Sequence, residues 1–166
     1  MLTVPLHGKT ARGRAVLIDD EDLGLVEGYS WNVAQRDRTA YARAYVRGSF
    51  GATGRRVMVS MHKLITGWPL TDHINGDGLD NQRANLRPAT SRQNSANMRG
   101  RVGATSQYKG VCWVPYPGRW QASLKVAGHQ THLGWFDTEE EAARAYDAAA
   151  FAVHGEYARL NLPLRV

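Results

Sequence analysis

The sequence predicts an α+β fold made of small antiparallel sheets and a few short helices. Residues 40–46 alternate large polar or aromatic side chains with small apolar ones, the period of two expected for a strand with one covered face. Strands joined by short turns form an antiparallel meander, and turn-forming residues separate three further strand candidates, at 108–114, 120–126 and 130–136. A helical pattern begins after the last of them, at Thr138.

Residues 1–60 predict a β-rich extension. The acidic segment 19–22 is typical of a helix start or a turn. Strand candidates at 29–33 and 40–46 flank a polar turn, and residues 56–65 predict a buried strand that runs into a short helix. This extension either enlarges a binding surface through its arginines or braces the next segment; the arginines are Arg36, Arg38, Arg43 and Arg47.

The middle of the chain is rich in turns. Asn75-Gly76 and Asp77-Gly78 are two of the strongest turn dipeptides. Residues 90–98 are polar and compatible with a helix. The segment 99–107 contains two Gly, two Arg and almost no apolar side chains, which predicts a basic linker.

The carboxyl-terminal helix carries clear end signals. Thr138 and Glu141 stand at capping-box spacing, and Gly155 marks the stop. Most apolar positions of this helix are Ala, which permits close packing on a sheet. One helix covers only one sheet face, so we expect the other face to stay open and to carry Lys109, Trp113, Arg119 and Lys125.

Composition excludes several classes of protein. The chain has 166 residues, 21 Lys plus Arg against 15 Asp plus Glu, and one cysteine, Cys112. A single cysteine forms no internal disulfide and begins no four-ligand structural zinc cluster, so we expect no structural zinc and a reducing, cytoplasmic location. The longest apolar run, 148–153, is far shorter than the roughly 18 to 20 residues of a membrane span. We expect no membrane partner and no secretion signal.

Charge is separated along the carboxyl-terminal segment. Residues 108–136 contain basic residues and no acid, whereas 137–147 contain five acids and one Arg. Such separation predicts a basic face directed at a polyanion and an acidic element behind it.

One group of polar residues in the middle of the chain contains candidate catalytic and metal-binding side chains. Asp72 and His73 stand side by side at the edge of the turn-rich segment, and Asn85-Leu86-Arg87 and a polar stretch ending at Asn94 follow. Together with Met61-His62-Lys63-Leu64, this pattern resembles the HNH endonucleases of phage and intron homing type over residues 61–97. The resemblance implies a nuclease core of two strands and a helix around one metal ion (ββα-metal).

The resemblance also implies roles for these residues. Asp72 and Asn94 would hold the metal, and their oxygen donors suit Mg²⁺ or Mn²⁺. His73 would be the general base, and Asn85 would fasten the loop and orient His73. Asn97 is an alternative to Asn94 or a phosphate contact, and His62 is a packing residue rather than a ligand. Because adjacent strand residues point to opposite faces, Asp72 and His73 act together only if the scissile phosphate bridges them or a bulge re-aims one.

A second pattern covers residues 106–162. It comprises Tyr108-Lys-Gly-Val111, Gly118-Arg-Trp120, Leu133-Gly-Trp-Phe136, Glu141-Ala-Ala-Arg-Ala-Tyr-Asp147 and Ala158-Arg-Leu-Asn161. This pattern resembles the APETALA-type, or ethylene-response-factor, DNA-binding domain, which implies a sheet in the major groove and a helix behind it. The resemblance implies DNA contacts by Lys109, Trp113, Tyr116, Arg119 and Lys125. In the basic linker, Arg99 and Arg101 are further candidates for DNA contacts. Trp120 is either a contact or a core residue.

These observations predict four segments, 1–60, 61–98, 99–107 and 108–162. The first interpretation is a metal-dependent DNA endonuclease, a phage-encoded homing or free-standing enzyme, that its carboxyl-terminal domain targets to double-stranded DNA. A monomer with one active site would nick one strand, whereas a dimer could break both. This interpretation requires no obligate protein partner. The alternative is a non-catalytic DNA-binding regulator in which the nuclease motif is degenerate.

Overall fold

A computed structural model describes residues 1–36, 39–47, 56–100 and 103–163. The chain divides into two compact units, Met1–Thr90 and Ser91–Val166. The division falls inside the segment that the sequence predicts as a nuclease core.

In its described residues, the first unit contains three antiparallel sheets and two short helices. Strand β1 (Leu2–Pro5) pairs with β2 (Ala15–Ile18). The second sheet has the order β3-β4-β5, with the strands Asn32–Arg36, Thr39–Arg47 and Arg56–Ser60. Strand β6 (Thr71–His73) pairs with β7 (Leu86–Pro88). The helices are α1 (Leu23–Val26) and α2 (Met61–Thr66).

Aliphatic side chains, alanines and a tryptophan form the core of the first unit. On β4, Ala42 and Ala44 are each only 1% exposed, whereas the adjacent Tyr45 is 60% exposed. The strand therefore has one covered face and one open face, as the alternation of its residues predicts. Trp31 is fully buried, and its Nε1 donates a hydrogen bond to the carbonyl of Val26 at 2.9 Å. This bond satisfies the one polar atom that the indole brings into the core.

The second unit is a three-stranded antiparallel sheet with a helix on one face. The strands are β8 (Val111–Val114), β9 (Arg119–Val126) and β10 (His129–Phe136), in the order β10-β9-β8. They are preceded by α3 (Ser91–Asn97) and followed by α4 (Glu139–His154). The α+β class and the three-stranded sheet with its helix are confirmed.

Helix α4 begins with the predicted capping box. The Thr138 hydroxyl accepts from the Glu141 amide at 3.2 Å, and the Glu141 carboxylate accepts from the Thr138 amide at 3.2 Å. Ala142 and Ala143 are completely buried, because their small side chains let the helix approach the sheet closely. In the part of the chain that the structure describes, no helix is both long and apolar enough to cross a bilayer.

Candidate nucleic-acid interface

The sheet of the second unit has one face that α4 leaves uncovered. Strand register decides which side chains share this face, because directly paired residues point to the same side. Gln121 pairs with Cys112 on one neighbour and with Trp135 on the other, and Arg119 pairs with Val114. We call this surface the open sheet face; its members are Cys112, Val114, Arg119, Gln121, Ser123, Lys125, Gln130, His132 and Trp135.

Hydrogen bonds and a ring contact organise the open sheet face. Gln121 Nε2 lies 2.9 Å from His132 Nδ1, and Gln130 Nε2 donates to the Ser123 hydroxyl at 2.6 Å. The rings of His132 and Trp135 are 5.1 Å apart. The face therefore presents amide, hydroxyl and imidazole groups beside an exposed indole.

Two cations, Arg119 and Lys125, stand on the open sheet face, and both are exposed. Arg119 Nη2 lies 3.2 Å from the Asp137 carboxylate, with the two side chains 50% and 77% exposed. An ion pair this exposed contributes little to stability, so the guanidinium is able to exchange Asp137 for another anion.

Two of the predicted contacts lie elsewhere. Trp113 pairs with Trp120, and their rings are 5.2 Å apart. Trp120 packs against the core beneath α4, so register puts Trp113 on the helix side as well, where it is 39% exposed. The expectation that Trp113 lies on the open face is therefore wrong, and Trp120 is a core residue.

Lys109 is also absent from the open sheet face. Its Nζ donates to the Ala96 carbonyl at 2.5 Å. Burial, and secondly the charge of Arg159, lower the pKa of Lys109 to about 8. The expectation that Lys109 shares a face with Lys125 is corrected, because the residue precedes β8 and its side chain turns towards α3.

The remaining predicted contacts are surface residues. Tyr116 is 93% exposed in the turn between β8 and β9, and Arg99 is exposed after α3. Arg101 lies outside the described residues, as do Arg38 and the side chains of Arg36 and Arg47. Sequence reasoning missed Gln121, Ser123, Gln130, His132 and Trp135, although a period of two counted from Arg119 would have found the first two.

In the first unit, Asp72 forms a buried ion pair with its cross-strand neighbour Arg87. The Asp72 Oδ2 atom lies 2.7 Å from Nη2 and 2.9 Å from Nε of Arg87. Their side chains are only 4% and 12% exposed. The guanidinium thus neutralises the charge that would attract a hard cation.

His73 lies in a cluster of rings on the opposite side of β6 from Asp72. Its Nε2 is 3.3 Å from Asn81 Oδ1, and its ring is 5.2 Å from that of His62 and 5.7 Å from that of Tyr41. Burial lowers the pKa of His73, against a raising effect of the Asn81 hydrogen bond. Burial, followed by the nearby His73, lowers the pKa of His62 to about 3.

Asn85 fastens the loop between β6 and β7. Its Oδ1 accepts from the Asn75 amide at 3.0 Å, and its Nδ2 donates to the Asp80 carbonyl at 2.8 Å and to Asn75 Oδ1 at 3.0 Å. These hydrogen bonds join Asn85 to loop atoms; that Asn85 also orients His73 stays a prediction.

The geometry lends no support to a ββα-metal core. Across the described ranges, no group of three or more His, Cys, Asp or Glu side chains is arranged to hold a metal ion. Asp72 is already paired with Arg87, so the carboxylate that the resemblance assigns to the metal is bound to a cation of the chain. Asn94 lies in α3.

Comparison with known proteins finds relatives among plant proteins. No protein-family model matches the chain. APETALA2-like protein 2 of Oryza sativa subsp. indica is 40% identical over 78 residues, which cover 47% of this chain and 17% of the relative. AP2-like ethylene-responsive transcription factor TOE2 of Arabidopsis thaliana is 44% identical over 63 residues, covering 38% and 13%. Dehydration-responsive element-binding protein 2D of Arabidopsis thaliana is 41% identical over 88 residues, covering 50% and 41%.

Homologues of the AP2/ERF type cover about half of the chain. The chain spans less than half of the length of each of these three relatives. The AP2-type similarity therefore covers only part of this chain, and the function of the whole chain is proposed below.

The comparison overturns the enzyme prediction. The relatives are AP2-type proteins, among them a transcription factor by name, and they are not nucleases. The predictions of a hydrolase, of an HNH endonuclease and of a phage-encoded, metal-binding protein are wrong on this finding. The physical reason in the structure is that Asp72 is engaged by Arg87, so the residue types of the motif occur without the arrangement that the chemistry needs.

Proposed function

We propose that this chain is a non-catalytic DNA-binding regulator that binds double-stranded DNA through the open sheet face. The observation that carries the proposal is the composition of that face, where Arg119 and Lys125 flank the hydrogen-bonding groups of Gln121, Ser123 and Gln130. The names of the AP2-type relatives, which include a transcription factor, support it independently.

The dimensions of the sheet suit the major groove. Neighbouring strands lie about 4.8 Å apart, so the backbones of three strands span about 10 Å. The major groove of B-DNA is about 12 Å wide. A three-stranded sheet can therefore lie with one face in the groove, where other sheet-type DNA readers also place strands.

The two kinds of side chain on the face have separate tasks. Lys125 and Arg119 attract phosphates and position the protein without reading sequence. Gln121 and Gln130 carry amide donors and acceptors of the type that read adenine edges. The contact of Gln121 with His132 and the hydrogen bond of Gln130 to Ser123 hold the two amides in place before DNA binds.

Acidic residues keep the rest of the unit away from DNA. Glu139, Glu140 and Glu141 form the first turn of α4. They stabilise the helix amino terminus through its dipole, and they would repel phosphates if the helix face were turned to DNA. The amino-terminal end of α4 is therefore unsuited to a polyanion, whereas the open sheet face carries the exposed cations Arg119 and Lys125.

The motif in the first unit has a structural task in this proposal. The Asp72–Arg87 pair joins β6 to β7, and Asn85 fastens the loop between them. Neither role requires a metal ion or a reacting water.

DNA binding by the full chain tests the proposal. Fluorescence anisotropy with labelled duplexes should show affinity that falls by roughly 10³ to 10⁵ between 50 and 200 mM salt if about six to ten phosphates are contacted. Lys125→Gln should weaken binding to all sequences, and Gln121→Ala should reduce the preference for a selected site. Arg144→Gln, an exposed charge on α4, is the matched control and should change little.

Two results would contradict the proposal. One is a wild-type chain that has no affinity for duplex DNA at low salt. The other is nicking of plasmid DNA in Mg²⁺ that the His73→Ala variant loses, because the proposal assigns no catalysis to this chain.

A further inference from the structure

A basic cleft lies within the second unit, beside the open sheet face. Its volume is about 870 Å³. The lining includes residues at 92–100, the segment before β8, and the ends of β9 and β10 around the Ala127–Gly128 turn. Among the described residues that line it, none is acidic and five carry basic or imidazole side chains: Arg92, Arg99, Lys109, Lys125 and His154.

The like charges at this cleft act on one another. After burial, the charges of Arg92 and Lys109 are the causes that lower the pKa of His154. Arg159, whose backbone amide donates to the carbonyl of the lining residue Ala96, is the cause after burial that lowers the pKa of Lys109. Mutual repulsion of this kind is relieved when an anion enters.

We propose that this cleft binds a backbone phosphate of the DNA duplex whose bases meet the open sheet face. The inference rests on the proposed function and adds the place where the backbone of one DNA strand lies on the protein. Lys125, Ser123 and Gln130 belong both to the cleft lining and to the open sheet face. A strand that lies across the face at these residues therefore has its sugar-phosphate chain beside the cleft.

The guanidinium groups are the main ligands. Arg92 and Arg99 are exposed, and their planar forks match phosphate oxygens in a bidentate manner. Lys109 is held at the cleft wall by its bond to the Ala96 carbonyl, so its position is set before the phosphate arrives.

Salt dependence measures the phosphates that the cleft contacts. Each phosphate contact adds about 0.9 to the slope of log K against log salt. Arg92→Gln and Arg99→Gln, made singly and together in the full chain, should each weaken duplex binding about equally for two unrelated sequences. The double variant should lose about one unit of slope. Arg144→Gln removes the same charge from the exposed side of α4 and should keep the wild-type slope.

The outcomes separate this inference from the proposed function. If the wild type binds duplex DNA and the double variant keeps the wild-type slope, the cleft is not a phosphate site and the open-face proposal stands. If the wild type binds no DNA, both proposals fall. If the double variant loses sequence preference instead of slope, the cleft reads bases and the phosphate assignment is overturned. Circular dichroism of each variant confirms that these surface changes leave the fold intact.

Discussion

The side-chain amide of Asn161 is hydrogen-bonded to both backbone groups of Lys109. Asn161 Oδ1 accepts from the Lys109 amide at 2.7 Å, and its Nδ2 donates to the Lys109 carbonyl at 3.0 Å. The buried carboxylate of Asp147 in turn accepts from the backbone amides of Asn161 and Leu162. Asn161 and Leu162 thereby connect the segment before β8 to Asp147 of α4.

Asn161→Ala should destabilise the second unit by about 1–3 kcal/mol, because it leaves two partly buried backbone groups of Lys109 without their partner. Chemical denaturation followed by tryptophan fluorescence measures this change. Gln107→Ala, which removes an exposed amide, is the control. Equal stability of the two variants would contradict the role of Asn161.

Gly110→Ala should be much more disruptive than Gly128→Ala. Both glycines have positive φ, +78° and +90°, so either substitution carries a conformational penalty of about 1–2 kcal/mol. Only at Gly110 would the new Cβ also overlap other atoms, at 2.1 Å from Tyr146 Cδ2 and 2.7 Å from the Ser123 carbonyl. Overpacking adds about 1–3 kcal/mol. Similar melting temperatures for the two variants would show that Tyr146 moves aside freely.

Arg87→Met should destabilise the first unit by about 3–5 kcal/mol, because it leaves the buried carboxylate of Asp72 without its cation. Adding Asp72→Asn to the same chain should recover part of the loss, since the uncompensated charge is then gone. Arg56→Met, at an exposed position, is the control. Urea denaturation of the single and double variants completes the cycle, and additive losses would argue against a coupled pair.

Acid should weaken the first unit through His62 and His73. The pKa of His62 is about 3 in the folded chain, against a usual 6.5, and that of His73 is also lowered. The unfolded chain therefore binds protons that the folded chain does not, so stability is complete above pH 6.5 and falls as pH drops towards 3. His62 contributes a slope of up to about 1.4 kcal/mol per pH unit in this window, and His73 acts in the same direction because its pKa is also lowered.

His62→Phe isolates this effect because it keeps an aromatic ring and removes the titrating group. Its free energy of unfolding, measured in urea at several pH values, should depend less on pH between 6.5 and 4 than that of the wild type. His129→Gln, at an exposed position, should retain the wild-type dependence. A variant curve parallel to that of the wild type would mean that other groups set the acid response.

Local signals in the sequence predict most of the second unit. The candidates 120–126 and 130–136 lie within one residue of β9 and β10, because turn residues and alternation fix both. The candidate 108–114 starts three residues too early, since Lys109 is held by Asn161 instead of a neighbouring strand. The capping box at Thr138 needs only residues three apart in sequence, and it is found as expected.

Contacts between distant segments could not be predicted in the same way. The face on which Trp113 lies depends on its register with Trp120, and a shift of one residue would reverse it. Likewise, the pairing of Asp72 with Arg87 follows from the register of β6 and β7. The motif around Asp72 and His73 shows only that suitable residue types are present, and their partners in space decide what they do.

The contact between Lys109 and Asn161 also sets an order of events during synthesis. The two residues are 52 positions apart, so the nascent chain cannot complete this contact until Asn161 has left the ribosome. The β9–β10 hairpin, closed by a two-residue turn at Ala127–Gly128, involves a far shorter loop and can form earlier. We therefore expect the segment before β8, which lines the basic cleft, to reach its final position last.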